Sequence, residues 1–297
     1  MQGLWKSSDE RRLFVLPARG SRKRVGGSGN HSTVRHDRQM NRTLAEGETV
    51  QLVDFKDRRY LITLKAGGEF HSHAGSVAHD DLIDSAEGRI VRSTKGGTYL
   101  VIRPTLSERI LKMPRGAQVI YPKDLGPLLM IADIFPGARV FESGVGSGAL
   151  SMTMLRSGAE ITGYELREDF AQRATNNVSD FLGAEALERY DVQLRSAYDG
   201  IDETDFDRAV LDLPEPWQVV PHAAKALRTG GIIVAYTPSI TQVSRFRESL
   251  SDHGFAMAET TEFIQRGWHV EGQAVRPDHR MVGHTGFLTS ARLLERD

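Results

Sequence analysis

From residue 138 onward, short apolar runs of strand-forming residues alternate with stretches in which apolar residues recur at the helical period. Strands that are joined by helices lie parallel in one sheet, because a crossover of that length returns the chain to the same edge. The strand–helix pairs are 138–142 with 150–156, 160–164 with 169–181, 208–213 with 217–227 and 231–236 with 240–251, and a further strand is expected at 191–195. Two β runs at 258–265 and 286–293 predict an antiparallel edge. The pattern therefore predicts an α/β domain with a doubly wound parallel sheet.

A smaller β-rich segment precedes this domain. Its strand-like runs are separated by glycine-containing turns and lie at 50–54, 60–64, 88–92 and 99–103. Such spacing predicts a small β-barrel or sandwich. We therefore expect a basic extension over residues 1–40, a small β-rich domain over 41–105 and the α/β domain over 106–297.

The first 40 residues are strongly basic. They contain nine Lys or Arg and three acidic residues, so they carry +6 while the rest of the chain carries −7. Arg22, Lys23 and Arg24 lie in a stretch rich in Gly, Ser and Arg that has no apolar period, which predicts disorder. This extension would be either a phosphate-contacting tail or a solvated segment, and Met40 leaves a later translation start open.

Composition excludes several classes of protein and site. The chain contains no Cys, which excludes a thiol nucleophile, a disulfide framework and a Cys-ligated zinc site. His71 and His73 lie two apart on one strand face with His79 nearby, but no pattern of partner carboxylates accompanies them. His269, His279 and His284 lie among turns and show no helical i, i+4 ligand pair, so we predict no metal. No apolar stretch reaches the roughly 18 residues of a membrane span, and charges occupy the N-terminus where a signal peptide is apolar. The expected location is cytoplasmic, with no membrane contact.

A glycine-rich loop follows the first strand of the α/β domain and opens a helix. Its sequence is Glu142-Ser143-Gly144-Val145-Gly146-Ser147-Gly148-Ala149-Leu150. Glycines allow the backbone to turn tightly and to approach a ligand, and the helix start offers free N–H groups. The next strand ends at Glu165, at the spacing of an acid that accepts hydrogen bonds from ribose hydroxyls. The loop therefore predicts a nucleoside-containing ligand; the alternative is a tight turn beside a surface charge.

A second acidic residue closes the fourth strand of the domain. Asp212 begins the stretch Asp212-Leu213-Pro214-Glu215-Pro216-Trp217. Ligands of open α/β sheets bind outside the carboxyl ends of the strands, so Asp212 is expected to face the same crevice as the glycine loop. Trp217 would either stack on a base or anchor the following helix, and we favour the packing role.

Taken together, these motifs resemble class I S-adenosylmethionine-dependent methyltransferases, and more narrowly the bacterial tRNA (adenine-N1)-methyltransferase family that modifies the T-loop adenine. The resemblance extends over roughly residues 110–293 and includes Ile120-Tyr121-Pro122-Lys123-Asp124, the glycine loop, Glu165, the Asp212 stretch, Arg266-Gly267-Trp268 and 283–288. It implies a Rossmann-like methyltransferase fold, with residues 41–105 as the domain on the RNA side, S-adenosyl-L-methionine as cofactor, tRNA as partner and a homotetramer.

The resemblance also implies the roles of individual residues. Those expected to bind the cofactor are Gln118, Ser143, Gly144, Gly146, Ser147, Gly148, Ala149, Leu150, Glu165, Phe170, Ser196 and Asp212. Tyr121 and Trp217 are expected in the substrate pocket. Two positions depart from the family pattern, because Ser196 stands near the place of an acid that binds the cofactor adenine, with Asp199 as a second candidate, and Phe170 stands where bacterial relatives often have His.

Asp212 is also the expected catalytic residue. Its carboxylate would accept a hydrogen bond from the adenine N6–H and stabilise the cation that forms when N1 is methylated. The base would have to leave its stack to reach the pocket. RNA affinity is expected from phosphate contacts by two basic clusters, or either cluster is a solvated face. These clusters are Arg103, Arg109, Lys112, Arg115 and Lys123, and Arg266, Arg276 and Arg280.

Three rival functions share parts of this pattern. Another methyltransferase of the same fold, acting on isoaspartate or a small molecule, would have the same glycine loop and Glu165. A non-catalytic RNA-binding subunit would keep the fold and lose the cofactor. A NAD-dependent dehydrogenase would need a catalytic His with Asp or Arg beside the loop, and the sequence shows no such group.

Overall fold

The computed structural model describes residues 43–116 and 118–295, and the chain forms two compact units with the boundary between Pro104 and Thr105. The basic extension predicted over residues 1–40 lies outside the described residues. Within the described residues, no helix is long and apolar enough to cross a membrane.

The N-terminal unit is built from antiparallel strands. These are β1 (Thr49–Asp54), β2 (Arg59–Thr63), β3 (Glu69–Ser72), β4 (Gly75–Ala78), β5 (Arg89–Arg92) and β6 (Thr98–Ile102). Four of them form a sheet in the order β2-β1-β6-β5, and β3 pairs with β4 in a separate hairpin. Leu52 on β1 and its partner Val101 on β6 are fully buried, and the rings of Phe70 and Tyr99 meet edge to face with centroids 5.5 Å apart. The sequence predicted the four strands of this sheet, as part of a barrel or sandwich, and missed the short hairpin.

The second unit begins with two helices and continues as alternating strands and helices. Its helices are α1 (Leu106–Lys112), α2 (Pro122–Ile131), α3 (Ala149–Arg156), α4 (Glu168–Leu182), α5 (Val220–Ala226) and α6 (Ile240–Asp252). Its strands are β7 (Arg139–Ser143), β8 (Glu160–Glu165), β9 (Tyr190–Leu194), β10 (Phe206–Leu211), β11 (Leu227–Thr237), β12 (Phe255–Glu262), β13 (Trp268–Glu271), β14 (Ala274–Pro277) and β15 (Phe287–Leu293).

Seven of these strands form one sheet in the order β12-β15-β11-β10-β7-β8-β9. Strands β7 to β11 are parallel, and β15 runs antiparallel to both of its neighbours. Side chains alternate along each strand between two cores: Val140 packs with α1 to α4 on one face, and Phe141 packs with α5 and α6 on the other. The doubly wound α/β sheet with an antiparallel edge is therefore confirmed.

Two local predictions differ from the structure. The helix expected at 217–227 is a 3-10 turn, Pro216–Gln218, followed by the shorter α5, and strand β11 already begins at Leu227. A proline has no N–H to donate within a helix, which favours such interruptions in a segment with prolines at 214, 216 and 221. The sequence did not predict the β13–β14 hairpin, whose strands have four residues each.

Candidate functional site

The glycine-rich loop joins β7 to α3 and has a backbone that favours glycine. Gly144, Gly146 and Gly148 have φ of +85°, +56° and +81°, which side chains other than glycine adopt at a cost. A Cβ on Gly144 would lie 2.1 Å from the carbonyl oxygen of Asp212, and one on Gly148 would lie 3.1 Å from the Cα of Ala174. The loop is therefore pressed against β10 on one side and α4 on the other, and only Gly146 faces open space.

Glu165 lies at the carboxyl end of β8 and holds the glycine loop. One of its carboxylate oxygens accepts the Gly146 N–H at 3.0 Å, and the other accepts the Arg167 N–H at 3.0 Å. Each oxygen keeps a further lone pair for a ligand hydroxyl. Glu165, Ser143, Gly144 and Ser196 line one cavity, whose rim includes Leu213 and Tyr198. The structure thus brings together the residues that were expected to hold a nucleoside.

Three further residues were expected to bind the cofactor: Ala149 and Leu150, which begin α3, and Gln118, which precedes α2. Ala149 and Leu150 are buried with 4% of their surface exposed, and Leu150 belongs to the core. The first N–H groups of a helix have no partner within it, so the backbone of these two residues remains the part available to a ligand. Gln118 is exposed.

Ser147 and Phe170 connect the glycine loop to neighbouring segments. The Asn177 side chain donates to the carbonyl oxygens of Ser147 at 3.0 Å and of Pro114 at 3.2 Å, which holds the segment before Gln118 near the loop. Phe170 is buried, and the Arg167 guanidinium lies 4.0 Å from its ring centroid. Phe170 thus contributes an aromatic face, while a His at this position would also offer hydrogen bonds.

A buried carboxylic acid lies directly below the glycine loop, and the sequence analysis did not identify it as a site residue. Glu142 is 0% exposed; its Oε2 accepts the Ser151 hydroxyl at 2.8 Å, and Ser151 is in turn bonded to the Tyr190 hydroxyl at 2.9 Å. Its Oε1 has no hydrogen-bond partner among the described residues. Burial, with the charges of Asp212 and Glu165, raises the pKa of Glu142 to about 8. An acid that follows apolar residues near the end of a central strand is the sequence signal for such a group.

The raised pKa of Glu142 predicts how the stability of the protein changes with pH. The folded state keeps the Glu142 proton up to about pH 8, whereas the unfolded chain loses it near 4.5. The resulting stabilisation is complete below pH 4.5 and is lost as the pH rises to about 8, by up to roughly 1.4 kcal/mol per pH unit. Glu142→Gln mimics the protonated acid. Its melting temperature relative to the wild type should therefore increase between pH 5 and pH 8 and level off above that.

The matched control for this measurement is Glu160→Gln, because Glu160 is an exposed acid on the neighbouring strand β8. Thermal melting of both variants and of the wild type at pH 5, 7 and 9 would separate the two sites. A Glu142→Gln variant that followed the wild-type pH profile in parallel would contradict the proposed protonation of Glu142.

Asp212 follows β10 and lies beside Gly144. Its backbone N–H donates to the Ser143 carbonyl at 2.9 Å, which fixes the residue at the carboxyl edge of the sheet. Its side chain is half-buried, and within the described part of the chain no hydrogen-bond donor reaches its carboxylate. Burial raises the pKa of Asp212 to about 7. A carboxylate with unused acceptors at the mouth of the crevice is suited to bind an N–H or O–H group of a ligand.

Two aromatic residues were expected in a substrate pocket. Tyr121 is the N-cap of α2 and is half-buried. Trp217 packs against the core below α6, and the Arg245 guanidinium lies 5.3 Å from its ring centroid. The contacts of Trp217 thus favour the packing role that the sequence indicated.

One of the two basic clusters predicted from the sequence does not form an exposed surface. Arg109 and Lys123 are buried, and Lys123 has all its contacts inside the protein. Arg103 is paired with Glu48 and Glu87. Only Lys112 and Arg115 of that cluster are exposed, whereas Arg266, Arg276 and Arg280 all are. The sequence spacing could not distinguish the buried cations from the exposed ones, because both occur on short helices and turns.

His284, one of the histidines considered as metal ligands, has other contacts. In the described part of the chain, no three His, Asp or Glu side chains are grouped so as to hold a metal ion. His284 lies between the Glu262 carboxylate at 2.6 Å and the Pro238 carbonyl at 2.8 Å. Both acceptors favour the charged imidazole, so the pKa of His284 is raised.

Known proteins resemble the chain over most of its length. A family model described as "tRNA methyltransferase complex GCD14 subunit" matches residues 97–276, and one described as "TrmI-like N-terminal" matches residues 43–91. The tRNA (adenine(58)-N(1))-methyltransferase TrmI of Thermus thermophilus is 38% identical over 244 residues, which are 81% of this chain and 95% of that protein.

Two solved structures share the fold at similar length. TrmI of Aquifex aeolicus, a tRNA (m1A58) methyltransferase, superposes with a TM-score of 0.75 and 27% identity over 86% of this chain and 100% of that one. A structure from Thermotoga maritima described as a SAM-dependent O-methyltransferase gives a TM-score of 0.80 and 30% identity over 86% of this chain and 96% of its own.

Proposed function

The chain belongs to the TrmI-like family of tRNA (adenine-N1)-methyltransferases, and we propose that it transfers a methyl group from S-adenosyl-L-methionine to N1 of the adenine at tRNA position 58, which gives 1-methyladenosine. The observation that carries this proposal is the half-buried Asp212 carboxylate beside the glycine loop, which no hydrogen-bond donor of the described residues reaches.

The residues of the crevice fit S-adenosyl-L-methionine. The glycine loop leaves open space at Gly146, where any other residue would place a side chain. Glu165 offers carboxylate lone pairs to the ribose hydroxyls, and Ser196 lies in the same cavity for the adenine. When bound, this cofactor supplies an electrophilic methyl group on a positively charged sulfur, so the protein chiefly has to position the reactants.

Asp212 has two tasks in the proposed reaction. Its carboxylate accepts a hydrogen bond from the N6 amino group of the target adenine, which draws electron density toward N1. It also stabilises the positive charge that N1 methylation leaves on the base, in a site where burial strengthens the interaction. Both tasks require the ionised form, and the pKa of about 7 places that requirement within the physiological range.

The target base has to leave the T-loop, because its N1 edge is otherwise paired or stacked. We propose Tyr121, the N-cap of α2, as the residue that stacks on the extruded base. The exposed Arg266, Arg276 and Arg280 provide phosphate contacts for the tRNA. The same family membership supports a homotetramer located in the cytoplasm.

A second candidate function is methylation of a hydroxyl group. The Thermotoga structure that is described as an O-methyltransferase is 30% identical to this chain. Asp212 would then act as the base that removes the hydroxyl proton, a role that its pKa of about 7 also permits. The two functions differ in their products.

Methyl transfer from labelled S-adenosyl-L-methionine to unmodified tRNA is the deciding measurement. Nuclease digestion and mass spectrometry should show 1-methyladenosine, and a tRNA with guanosine at position 58 should remain unlabelled. A methylated ribose would support O-methylation instead. If the cofactor bound and no label entered the tRNA, the proposed substrate would be wrong.

A further inference from the structure

Tyr198 holds the backbone of the segment that follows Asp212. This segment, residues 213–217, has prolines at 214 and 216, which carry no N–H, so the backbone N–H between them belongs to Glu215. The Glu215 N–H donates to the Tyr198 hydroxyl oxygen at 3.3 Å. Because Asp212 lies three positions before Glu215, this bond restricts the movement of the chain that follows the acid.

Two further side chains bond to the same segment from α6. The Gln242 amide donates to the Pro214 carbonyl at 2.8 Å, and the Ser249 hydroxyl donates to the Trp217 carbonyl at 2.9 Å. These contacts fix the segment against the helix. Tyr198 reaches it from a different part of the chain, the loop that follows β9.

Tyr198 also lines the cavity that is proposed to hold the cofactor nucleoside, together with Glu165 and Ser196. Its backbone is fixed, because its N–H donates to Ser196 Oγ at 3.2 Å and its carbonyl accepts from His222 Nε2 at 3.1 Å. Its side chain is half-buried. A base that fills the cavity therefore packs against the Tyr198 ring and removes part of its rotamer freedom.

We propose that Tyr198 is a positioning residue that couples the cofactor cavity to the segment after Asp212. A nucleoside in the cavity fixes the Tyr198 ring, the ring fixes the hydroxyl, and the hydroxyl holds Glu215 before the target base binds. This inference rests on the proposed function. A first ligand that orders a group needed by a second ligand lowers the ordering cost of the second, so the two bind with positive cooperativity.

Binding measurements on the wild type test whether the two sites are coupled. S-adenosylhomocysteine, which lacks the methyl group, replaces the cofactor so that no reaction occurs. The Kd of unmodified tRNA should be lower by about fivefold or more when S-adenosylhomocysteine is saturating. By linkage, the Kd of S-adenosylhomocysteine should fall by the same factor when tRNA is saturating. Affinities that did not depend on the other ligand would overturn the inference.

Tyr198→Phe removes the oxygen that accepts the Glu215 N–H and keeps the ring in the cavity wall. Its affinity for S-adenosylhomocysteine alone should therefore stay within about twofold of the wild type, while the ratio of tRNA Kd values without and with S-adenosylhomocysteine should fall to about one. Glu215 is exposed, so water can replace the lost acceptor, and the melting temperature should change little. A variant that kept the wild-type ratio would contradict the role of Tyr198.

Tyr164→Phe is the matched control, because Tyr164 lines the same cavity. Its hydroxyl donates to Glu203 Oε2 at 2.7 Å and accepts the Asp202 N–H at 3.3 Å, both in the loop before β10. The variant should keep the wild-type ratio of tRNA Kd values even if it melts at a lower temperature. Loss of the ratio in both variants would indicate a general loosening of the cavity and would overturn the specific role of Tyr198.

Amide hydrogen exchange of the wild type adds a measurement that requires no variant. The Glu215 amide lies between two prolines, so its exchange can be followed as a single site. Saturating S-adenosylhomocysteine should slow this exchange severalfold, because the ordered Tyr198 hydroxyl protects the N–H. An unchanged exchange rate in protein that binds S-adenosylhomocysteine would count against the coupling.

These outcomes are distinguishable from a failure of the proposed function. If the wild type made 1-methyladenosine in tRNA and the two ligands bound independently, the role of Tyr198 would be wrong and the function would stand. If the wild type made no 1-methyladenosine, the proposed function would fail, and the role of Tyr198 with it.

Discussion

Asp212→Ala is expected to lower kcat by roughly 10²- to 10³-fold, the cost of removing one preorganised electrostatic contact to the charge that develops in a transition state. The affinity for S-adenosyl-L-methionine should change much less, because the cavity that holds the nucleoside is lined by Ser143, Gly144, Glu165 and Ser196 rather than by the Asp212 side chain. Steady-state methyl-transfer assays would give kcat, and a binding titration on the same preparation would give the cofactor affinity.

The pH profile of the same reaction adds a sharper test. Only the ionised Asp212 accepts the amino hydrogen and balances the charge, and burial raises its pKa to about 7. In the wild type, kcat should therefore increase with pH up to about 7 and then level off. Asp212→Asn keeps an acceptor oxygen without the charge, so its residual kcat should show no such increase.

Asp191→Ala is the matched control for Asp212→Ala. Asp191 is an exposed acid on β9, near the opposite end of the sheet, so its loss should leave kcat within about twofold of the wild type. Comparable losses of kcat and of cofactor affinity in Asp212→Ala would make Asp212 mainly a cofactor ligand and would contradict the catalytic role.

The sequence predicted the part of the site that follows from strand order. Gly144 and Asp212 come directly after a strand and Glu165 ends one, and the carboxyl ends of parallel strands meet at one edge, so alternation and spacing alone placed these residues together. A sequence pattern is sufficient for such residues, because the position of each one depends only on where its own strand ends. Ser196, in contrast, was expected there only from the resemblance to the family.

The buried contacts of Lys123 are ones that no local sequence pattern contains. Lys123 and Thr285 are bonded at 2.6 Å although 162 positions separate them in the chain. Lys123 was therefore assigned to an exposed basic cluster, which is where most lysines lie. In the structure, the Lys123 ammonium donates to the Phe263 carbonyl and to Asp124, and only the folded chain brings these groups together.

Gly144→Ala is expected to have the largest effect on folding among single changes in the loop. A methyl group would lie 2.1 Å from the carbonyl oxygen and 2.8 Å from the carbonyl carbon of Asp212, and both are backbone atoms of a buried strand end. The φ of +85° adds the cost of a left-handed conformation for alanine. Together these effects should destabilise the protein by about 3 kcal/mol or more, measured as a shift of the denaturant midpoint.

Gly146→Ala separates the effect of a steric clash on stability from the effect of a left-handed backbone conformation. Gly146 also has a positive φ, of +56°, but the nearest atom to a Cβ there is the Gly144 carbonyl oxygen at 3.9 Å. This variant should lose only about 1 kcal/mol of stability, the ordinary cost of a left-handed alanine. Its Cβ would enter the space assigned to the cofactor, so its cofactor affinity should fall more than its stability does. Equal destabilisation by the two variants would show that the close contact between Gly144 and the Asp212 backbone adds no cost of its own.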